Sequence, residues 1–364
     1  MLAAQSVLAA APSYATSPPT HTSPARMFGT SALAPTPSPT PSKCNPKVMH
    51  CSKVIKASAQ GTGEYSQGKT SVSNCNGRTY VGWTGSDDHL NAAWGSTRGS
   101  FPNKATFTDT AYYDRSQNPS IYTSPALVCW TPLSGPYVND SGLWVIFTGT
   151  NKQLYYGFYN GQSTGYGVPL AVHKEIPDQS SIYSPAAIVS IGGTLWVIWR
   201  GNTTNYLYVE ETPDGVNWYN GQDWHVNANG GPGFDLYCDP GLPRCMGWIA
   251  YMNTANQHLD IAYLDVDGNQ QFYPLGELAD FSVKNDDLTL TDYGSTLYLP
   301  YSGTGTLPYP NVDVYDGIKE TWTNQQEVNL YSVFGVGGTV LSGGHLYIWF
   351  THYPDNQIYV QQWN

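Results

Sequence analysis

The stretch Ser184–Trp218, SPAAIVSIGGTLWVIWRGNTTNYLYVEETPDGVNW, decides how the rest of the sequence is read. Three short strand-like runs follow one another in it. Pro185–Ser190 comes first, Gly192-Gly193 supplies a turn, and Leu195–Arg200 follows as a dense aromatic and β-branched run. Such residues favour the pleated surface of a strand. Gly201–Asn205 is a polar loop and Tyr206–Glu210 a third, alternating run. Thr212-Pro213-Asp214-Gly215 closes the unit as a turn in which proline presets φ and glycine accepts a positive φ. A unit of this size cannot bury both faces of its sheet, so it predicts neighbours of the same kind.

The second run does recur, as TYVGWTG from Thr79, LWVIFTG from Leu143, LWVIWRG from Leu195, GWIAYMN from Gly247, LYLPYSG from Leu297 and LYIWFTH from Leu346. Position two of this heptapeptide is always aromatic (Tyr80, Trp144, Trp196, Trp248, Tyr298, Tyr347), and so is position five (Trp83, Phe147, Trp199, Tyr251, Tyr301, Phe350). Position three is always Val, Ile or Leu. Successive copies lie 64, 52, 52, 50 and 49 residues apart. A near-constant period with several short strands per unit predicts an all-β, six-bladed β-propeller of four-stranded antiparallel blades. A two-sheet sandwich with repeated hairpins is the alternative at this stage.

Ring closure is legible too. The last repeat has strands near Ser332–Val336, Leu346–Thr351 and Ile358–Trp363, and then the sequence ends without a fourth. Lys53–Ala57, before the first complete repeat, resembles the fourth-strand segment Lys104–Thr108. The N-terminal strand is therefore expected to complete the sixth blade and cover an open edge.

Composition agrees. Of 364 residues 14% are aromatic and only 12% charged, with 37 glycines and 26 prolines, which suits short strands and tight turns. The net charge of −11 argues against nucleic acid or an anionic membrane as partner. No apolar run is long enough to span a bilayer. Residues 1–42 differ from the rest: Thr20–Ser42 is Pro/Ser/Thr-rich and reads as a disordered linker or glycosylated stalk. Leu2–Ala15 resembles the end of a secretory signal without its basic n-region. The expected division is thus 1–42 as a disordered arm and 43–364 as the propeller.

Six cysteines point to the same compartment. Cys44 and Cys51 flank one short loop, Cys238 and Cys245 another, and Cys75 and Cys129 take nearly equivalent places in adjacent repeats. Pairing 44–51, 75–129 and 238–245 is one of the connectivities open to them, with reduced or metal-bound cysteines as the alternative. Disulfides imply an oxidising, extracellular setting. No metal site or cofactor is expected, because no pair has CxxC spacing and no histidine stands at ligand spacing from a cysteine.

The turn Thr212–Trp218 (TPDGVNW) resembles the Asp-box, Ser/Thr-x-Asp-x-Gly-x-x-Trp/Phe, with one spacer residue absent. Weaker echoes stand at Ser96–Phe101, Asp265–Phe272 and Tyr315–Trp322. On these motifs residues from about 45 to 364 resemble the sialidase-like Asp-box (BNR-repeat) propeller superfamily. The resemblance implies that Asp214, Gly215 and Trp218 are scaffold on the face away from the site. It also implies, for an active sialidase, three arginines holding a carboxylate, a Tyr–Glu nucleophile pair and an Asp acid/base. The Phe/Tyr-Arg-Ile-Pro motif of that family does not occur here, and the repeats hold only Arg78, Arg98, Arg115, Arg200 and Arg244. Three of these, Arg78, Arg98 and Arg244, fall in turns on the Asp-box side, which leaves too few for the clamp.

The opposite face collects the loops that follow each second strand or precede each first strand. They offer Asp87, Asp88, Arg115, Tyr122, Tyr183, Arg200, Asn202 and His352. Aromatic platforms beside amides, carboxylates and a planar guanidinium are what sugars require. Core packing is the competing explanation for the strand aromatics, and a salt bridge to Glu175 or Asp178 the competing one for Arg200. Three functions remain open: a secreted, lectin-like carbohydrate-binding propeller without turnover, a glycoside hydrolase of sialidase-like fold, and a structural or protein-interaction propeller.

Overall fold

The computed structural model describes residues 52–56, 65–85, 89–96, 100–107, 123–149, 151–161, 165–168, 170–238, 244–268, 270–282, 287–293, 296–303, 310–316, 321–327, 332–341, 345–352 and 355–363. The chain begins with β1 (Ser52–Lys56). Blade 1 follows as β2 (Ser71–Cys75), β3 (Arg78–Thr84), β4 (Leu90–Ser96) and β5 (Ser100–Phe107). Blade 2 is β6 (Ala126–Trp130), β7 (Gly142–Thr148), β8 (Gln153–Tyr159) and, after the short β9 (Gly165–Val168), β10 (Val172–Ser180). Blade 3 is β11 (Ala186–Val189), β12 (Leu195–Arg200), β13 (Tyr206–Thr212) and β14 (Tyr219–Asn227). Blade 4 is β15 (Gly233–Tyr237), β16 (Met246–Met252), β17 (His258–Leu264) and β18 (Phe272–Ser282). Blade 5 is β19 (Thr291–Tyr293), β20 (Thr296–Ser302), β21 (Pro310–Asp316) and β22 (Thr321–Glu327). Blade 6 is β23 (Ser332–Leu341), β24 (His345–His352) and β25 (Ile358–Trp363), and β1 pairs antiparallel with β25 to complete it. The ring-closing role expected of the N-terminal strand is therefore what the fold shows.

The recurring heptapeptides are β3, β7, β12, β16, β20 and β24, the second strand of every blade. Neighbouring residues of a strand point to opposite faces, so positions one, three and five meet the preceding blade while two, four and six meet the next. The packing follows this parity. Trp144 and Ile146 of blade 2 share a cluster with Leu195, Val197 and Trp199 of blade 3. Trp196 and Ile198 then pack against Ile249 and Tyr251 of blade 4. Trp248 and Ala250 meet Leu297, Leu299 and Tyr301 of blade 5, and Tyr298 meets Leu346, Ile348 and Phe350 of blade 6. Tyr347 and Trp349 meet Val81 and Trp83 of blade 1, and Tyr80 meets Leu143, Val145 and Phe147 of blade 2. All twelve aromatics at positions two and five are buried, which makes them core rather than ligand platforms. Burying a side chain of this size contributes roughly 1.5–3 kcal/mol.

One strand was not anticipated. Between β8 and β10 the chain leaves blade 2, and β9 adds in parallel to the outer edge of blade 1, pairing Ala105 with Gly165 and Thr106 with Tyr166. Blade 1 thus has five strands, and the exposed edge of β5 is covered by its neighbour. Cys75 and Cys129 are bonded between the innermost strands of blades 1 and 2, and Cys238 and Cys245 are bonded within blade 4. The expected 44–51 pair, and the expected boundary at residue 42, lie outside the described residues.

The innermost strands surround a channel of about 360 Å³, lined among others by Ser73, Asn74, Val128, Ile188, Asp235 and Asp292. Asp235 and Asp292 belong to adjacent blades, and the Asp292 amide donates to Asp235 Oδ2 at 2.6 Å. Desolvation pushes Asp235 up to about 7, against the hydrogen bonds it accepts from the amides of Asp292 and Leu236. Asp313 is also raised to about 7 by burial, against a hydrogen bond from Tyr301. Glu210 reaches about 7 by burial, with a hydrogen bond from Gln179 opposing and the charge of Asp178 adding to it.

These three carboxyls fix a direction for the pH dependence of stability. Their folded pKa lies above the unfolded value of about 4, so the native state holds protons that the unfolded state has released. Their contribution is complete below about pH 4 and is lost as pH rises to about 7. Calorimetry is expected to give a higher melting temperature at pH 5 than at pH 8; a flat or rising profile over that range would contradict the assignment. Ring closure gives a second expectation. Removing residues 1–42 should leave the melting temperature unchanged, whereas removing 1–60 takes away β1, lowers it, and exposes β25 to edge pairing that size-exclusion chromatography detects as association.

Candidate functional site

The two faces of the disc are built differently. Turns between the first and second strands, and between the third and fourth, lie on one face. Loops after the second strands and before the first strands lie on the other, here called the loop face.

The turn face is committed to structure around Asp214. Its Oδ1 accepts the amides of Val216 and Asn217, each at 2.8 Å, and its Oδ2 the Asn217 side-chain amide at 2.6 Å. Thr212 Oγ1 accepts the Gly215 amide at 2.8 Å, and Gly215 has φ of 72°, which the turn requires. Tyr156 of blade 2 donates to the Gly215 carbonyl and packs edge-on against Trp218 at 5.3 Å. Burial alone would raise Asp214, but the hydrogen bonds from Asn217, Val216 and Thr212 outweigh it and hold the carboxyl low. The turn thus fastens blade 3 to blade 2 through Gly215 and Trp218. Its echo in blade 4 works differently: Asp265 is bonded by Arg244 from the preceding hairpin. Arg78, at the start of β3, also belongs to the turn face.

On the loop face, position six of the heptapeptide has a clear structural use. Thr84, Thr148 and Thr351 donate their hydroxyls to the carbonyls of Thr123, Tyr183 and Gly68, at 2.6, 3.1 and 2.9 Å. Each acceptor lies in the segment leading into the next blade, so each bond joins two blades. Arg200 occupies this position in blade 3. It is only 8% exposed. Its guanidinium carbon lies 4.3 Å from the centroid of the Tyr183 ring, within cation–π range. Nη2 donates to the side chain of Asn205, an exposed residue of the loop that follows. Nε and Nη1 are buried and meet no hydrogen-bond partner, and no carboxylate pairs with Arg200 among the described residues. Burial lowers its pKa, with Tyr183 pulling the other way.

The structure therefore brings together Arg200 and Tyr183 of the expected site residues, with Asn202 on the same loop, its amide donating to the Ser180 carbonyl at 3.2 Å. Glu175 and Asp178 are not its partners: Glu175 lies opposite Tyr155 in the blade 2 ladder, and Asp178 neighbours Glu210. Asn205 was not singled out by the sequence reading, although it belongs to the polar loop Gly201–Asn205 noted there. His352 stands apart in blade 6. Its Nδ1 lies 2.9 Å from Asp355 and its ring 4.6 Å from Tyr359. Asp87, Asp88, Arg115 and Tyr122 lie outside the described residues. Among the described residues no group of three or more His, Cys, Asp or Glu is placed to hold a metal ion.

No protein-family model matches the sequence, and no curated protein matches it. Solved structures do share its fold. The Hadza microbial sialidase Hz136 superposes with a TM-score of 0.57 at 12% identity, over 82% of this chain and 66% of that one. A variant of the Aleuria aurantia lectin in complex with Fucα1-6GlcNAc gives 0.52 at 13% identity, over 81% of this chain and 94% of the lectin. AofleA from Arthrobotrys oligospora gives 0.54 at 12%, over 82% and 83%. The chain spans just under two thirds of the microbial sialidase and 54% of the Trypanosoma rangeli sialidase. Sialidases and fucose lectins meet in one architecture, and the fold of this chain is that six-bladed, sialidase-like propeller.

Proposed function

We propose that the protein is a secreted, carbohydrate-binding propeller that holds its glycan at the loop face of blade 3, around Arg200, Tyr183, Asn202 and Asn205. One observation carries this reading: a guanidinium buried without a carboxylate, at a position where three of the five sibling strands use threonine to join blades. An arginine that forgoes that bond and keeps two guanidinium nitrogens unmet has a ligand's acceptors as its natural complement. Tyr183 offers a flat face for a sugar ring, and exposed Asn205 offers an amide that a hydroxyl can replace. The fucose lectin whose length is matched almost completely supports a binding function carried by one propeller alone. The two disulfides support an extracellular setting, and we read the Thr212–Trp218 turn as an Asp-box.

Asp87, Asp88, Arg115 and Tyr122, by their place in the sequence, and His352 enter this proposal as residues of related sites that would repeat around the ring. A glycan array identifies the sugar, and calorimetry with that sugar then tests the site. Arg200→Lys keeps the charge and loses the planar fork, and is expected to weaken binding by about 1–3 kcal/mol with little change in melting temperature. Unchanged affinity with a lowered melting temperature would make Arg200 part of the scaffold instead.

A further inference from the structure

Blade 3 holds a second buried charged side chain, on the face opposite to Arg200. Glu210 in β13 pairs with Val197 and therefore points toward blade 2. It is 7% exposed. Oε1 accepts a hydrogen bond from Gln179 Nε2 at 2.6 Å, while Oε2 is buried and meets no partner. No cationic side chain pairs with it among the described residues. An unpaired buried carboxylate is costly, and it is relieved by a proton or by a cation.

Both flanking strands depart from regular pairing around this carboxyl. In β10 the ladder with β8 breaks between Glu175 and Ser180, and Asp178, within the break, has φ of 58°. The break lets Gln179 reach across to Glu210, leaves Asp178 exposed but close enough for its charge to act on that carboxyl, and releases the intervening backbone from pairing with β8. In β14 the register shifts opposite Val209–Glu211, and Gly221 stands there. A Cβ on Gly221 would lie 2.9 Å from Glu210 Oε1, so the missing side chain is what gives the carboxyl room to stand beside this exposed backbone. Bulges of this kind re-aim side chains next to functional sites.

We infer that this crevice between blades 2 and 3 is a calcium-class cation site, in which Glu210 and Asp178 supply the two carboxylates and backbone carbonyls and water complete an oxygen shell. The donors are all hard oxygens, with no histidine or thiol among them, which selects calcium over transition metals. Two carboxylates from adjacent blades give a weak site that clamps one blade to the next. Its affinity is expected in the range of extracellular modules, with Kd of about 10⁻⁴–10⁻³ M. The crevice opens on the flank of the disc and is independent of the glycan reading of the loop face.

The test uses the full chain, stripped with EDTA and titrated with calcium chloride at pH 8, where Glu210 is ionised. Calorimetry should show saturable binding, and 10 mM calcium should raise the melting temperature by about 1–3 °C. Glu210→Gln is near-isosteric and should abolish the binding. Asp178→Asn, on the exposed bulge, leaves the core untouched and should weaken it at least about tenfold, since the site loses one of its two charges. Absence of saturable binding at pH 8, or an unchanged Kd in either variant, overturns the assignment.

Discussion

A propeller has to close, and here closure rests on one buried hydrogen-bonded belt at the loop-face end of the channel. Thr351 of blade 6 donates to the Gly68 carbonyl ahead of blade 1, and Ser124 of blade 2 donates to the carbonyl of Lys69. The Ser124 amide donates to Ser184 of blade 3 at 2.6 Å, and Ser184 donates to Asp287 of blade 5. Asp287 also accepts the amide of Gly231, ahead of blade 4, at 2.7 Å. Lys69 reaches across to the Leu288 carbonyl at 2.6 Å. All six blades share this network. Lys69 is held in a site whose burial lowers its pKa, and the charge of Asp287 opposes that shift. Removing either member would leave an uncompensated charge inside the ring, the situation in which a buried pair costs most.

Glycines make the belt possible. A Cβ on Gly335 would stand 2.3 Å from the Asp287 carbonyl, and one on Gly231 would stand 2.4 Å from both Asp287 Oδ1 and the Ser184 carbonyl. Backbones of blades 5 and 6, and of blades 3 and 4, therefore approach as closely as they can at that level. With the strand ends fixed there, the second strands below are forced into contact on both faces. That explains why the heptapeptides, Thr79 apart, are apolar from position one to five rather than alternating.

The repeat and its parity were legible because the second strand is the one strand sandwiched between two blades, where packing dictates side chains on both sides. The ring-closing strand was legible because the last repeat lacks a member. The belt was not: Ser124 and Ser184 open the same Ser-Pro-Ala run before a first strand, but Lys69 and Asp287 carry no such mark, and the four meet only through closure. The parallel strand β9 escaped for a related reason: its four residues pair outside their own repeat, so no period announces them. At the site, Arg200 stood out as a departure from its siblings, and the structure showed what the departure costs, an interblade hydrogen bond of the kind Thr148 makes. Of its two readings the salt bridge to Glu175 or Asp178 is not seen: Glu175 lies opposite Tyr155 in the blade 2 ladder, and the bulge in β10 leaves Asp178 beside Glu210.

Blade 3 then divides its polar groups by height and by face. Position six of β12, near the loop face, looks toward blade 4 and carries Arg200. The third strand, nearer mid-height, looks toward blade 2 and carries Glu210. The turn at its foot carries Asp214, satisfied by four donors of its own turn. Of these three charged groups only the first two hold atoms without partners, and a packed apolar interface lies between them, formed by Trp196, Ile198, Val197 and Trp199. Charges so separated do not neutralise each other, although one salt bridge would have removed both unmet valences. A blade selected for stability alone has every reason to bring such groups together or replace them with apolar ones. That it keeps a cation facing one neighbour and a carboxyl facing the other argues that each is held for something from outside the chain.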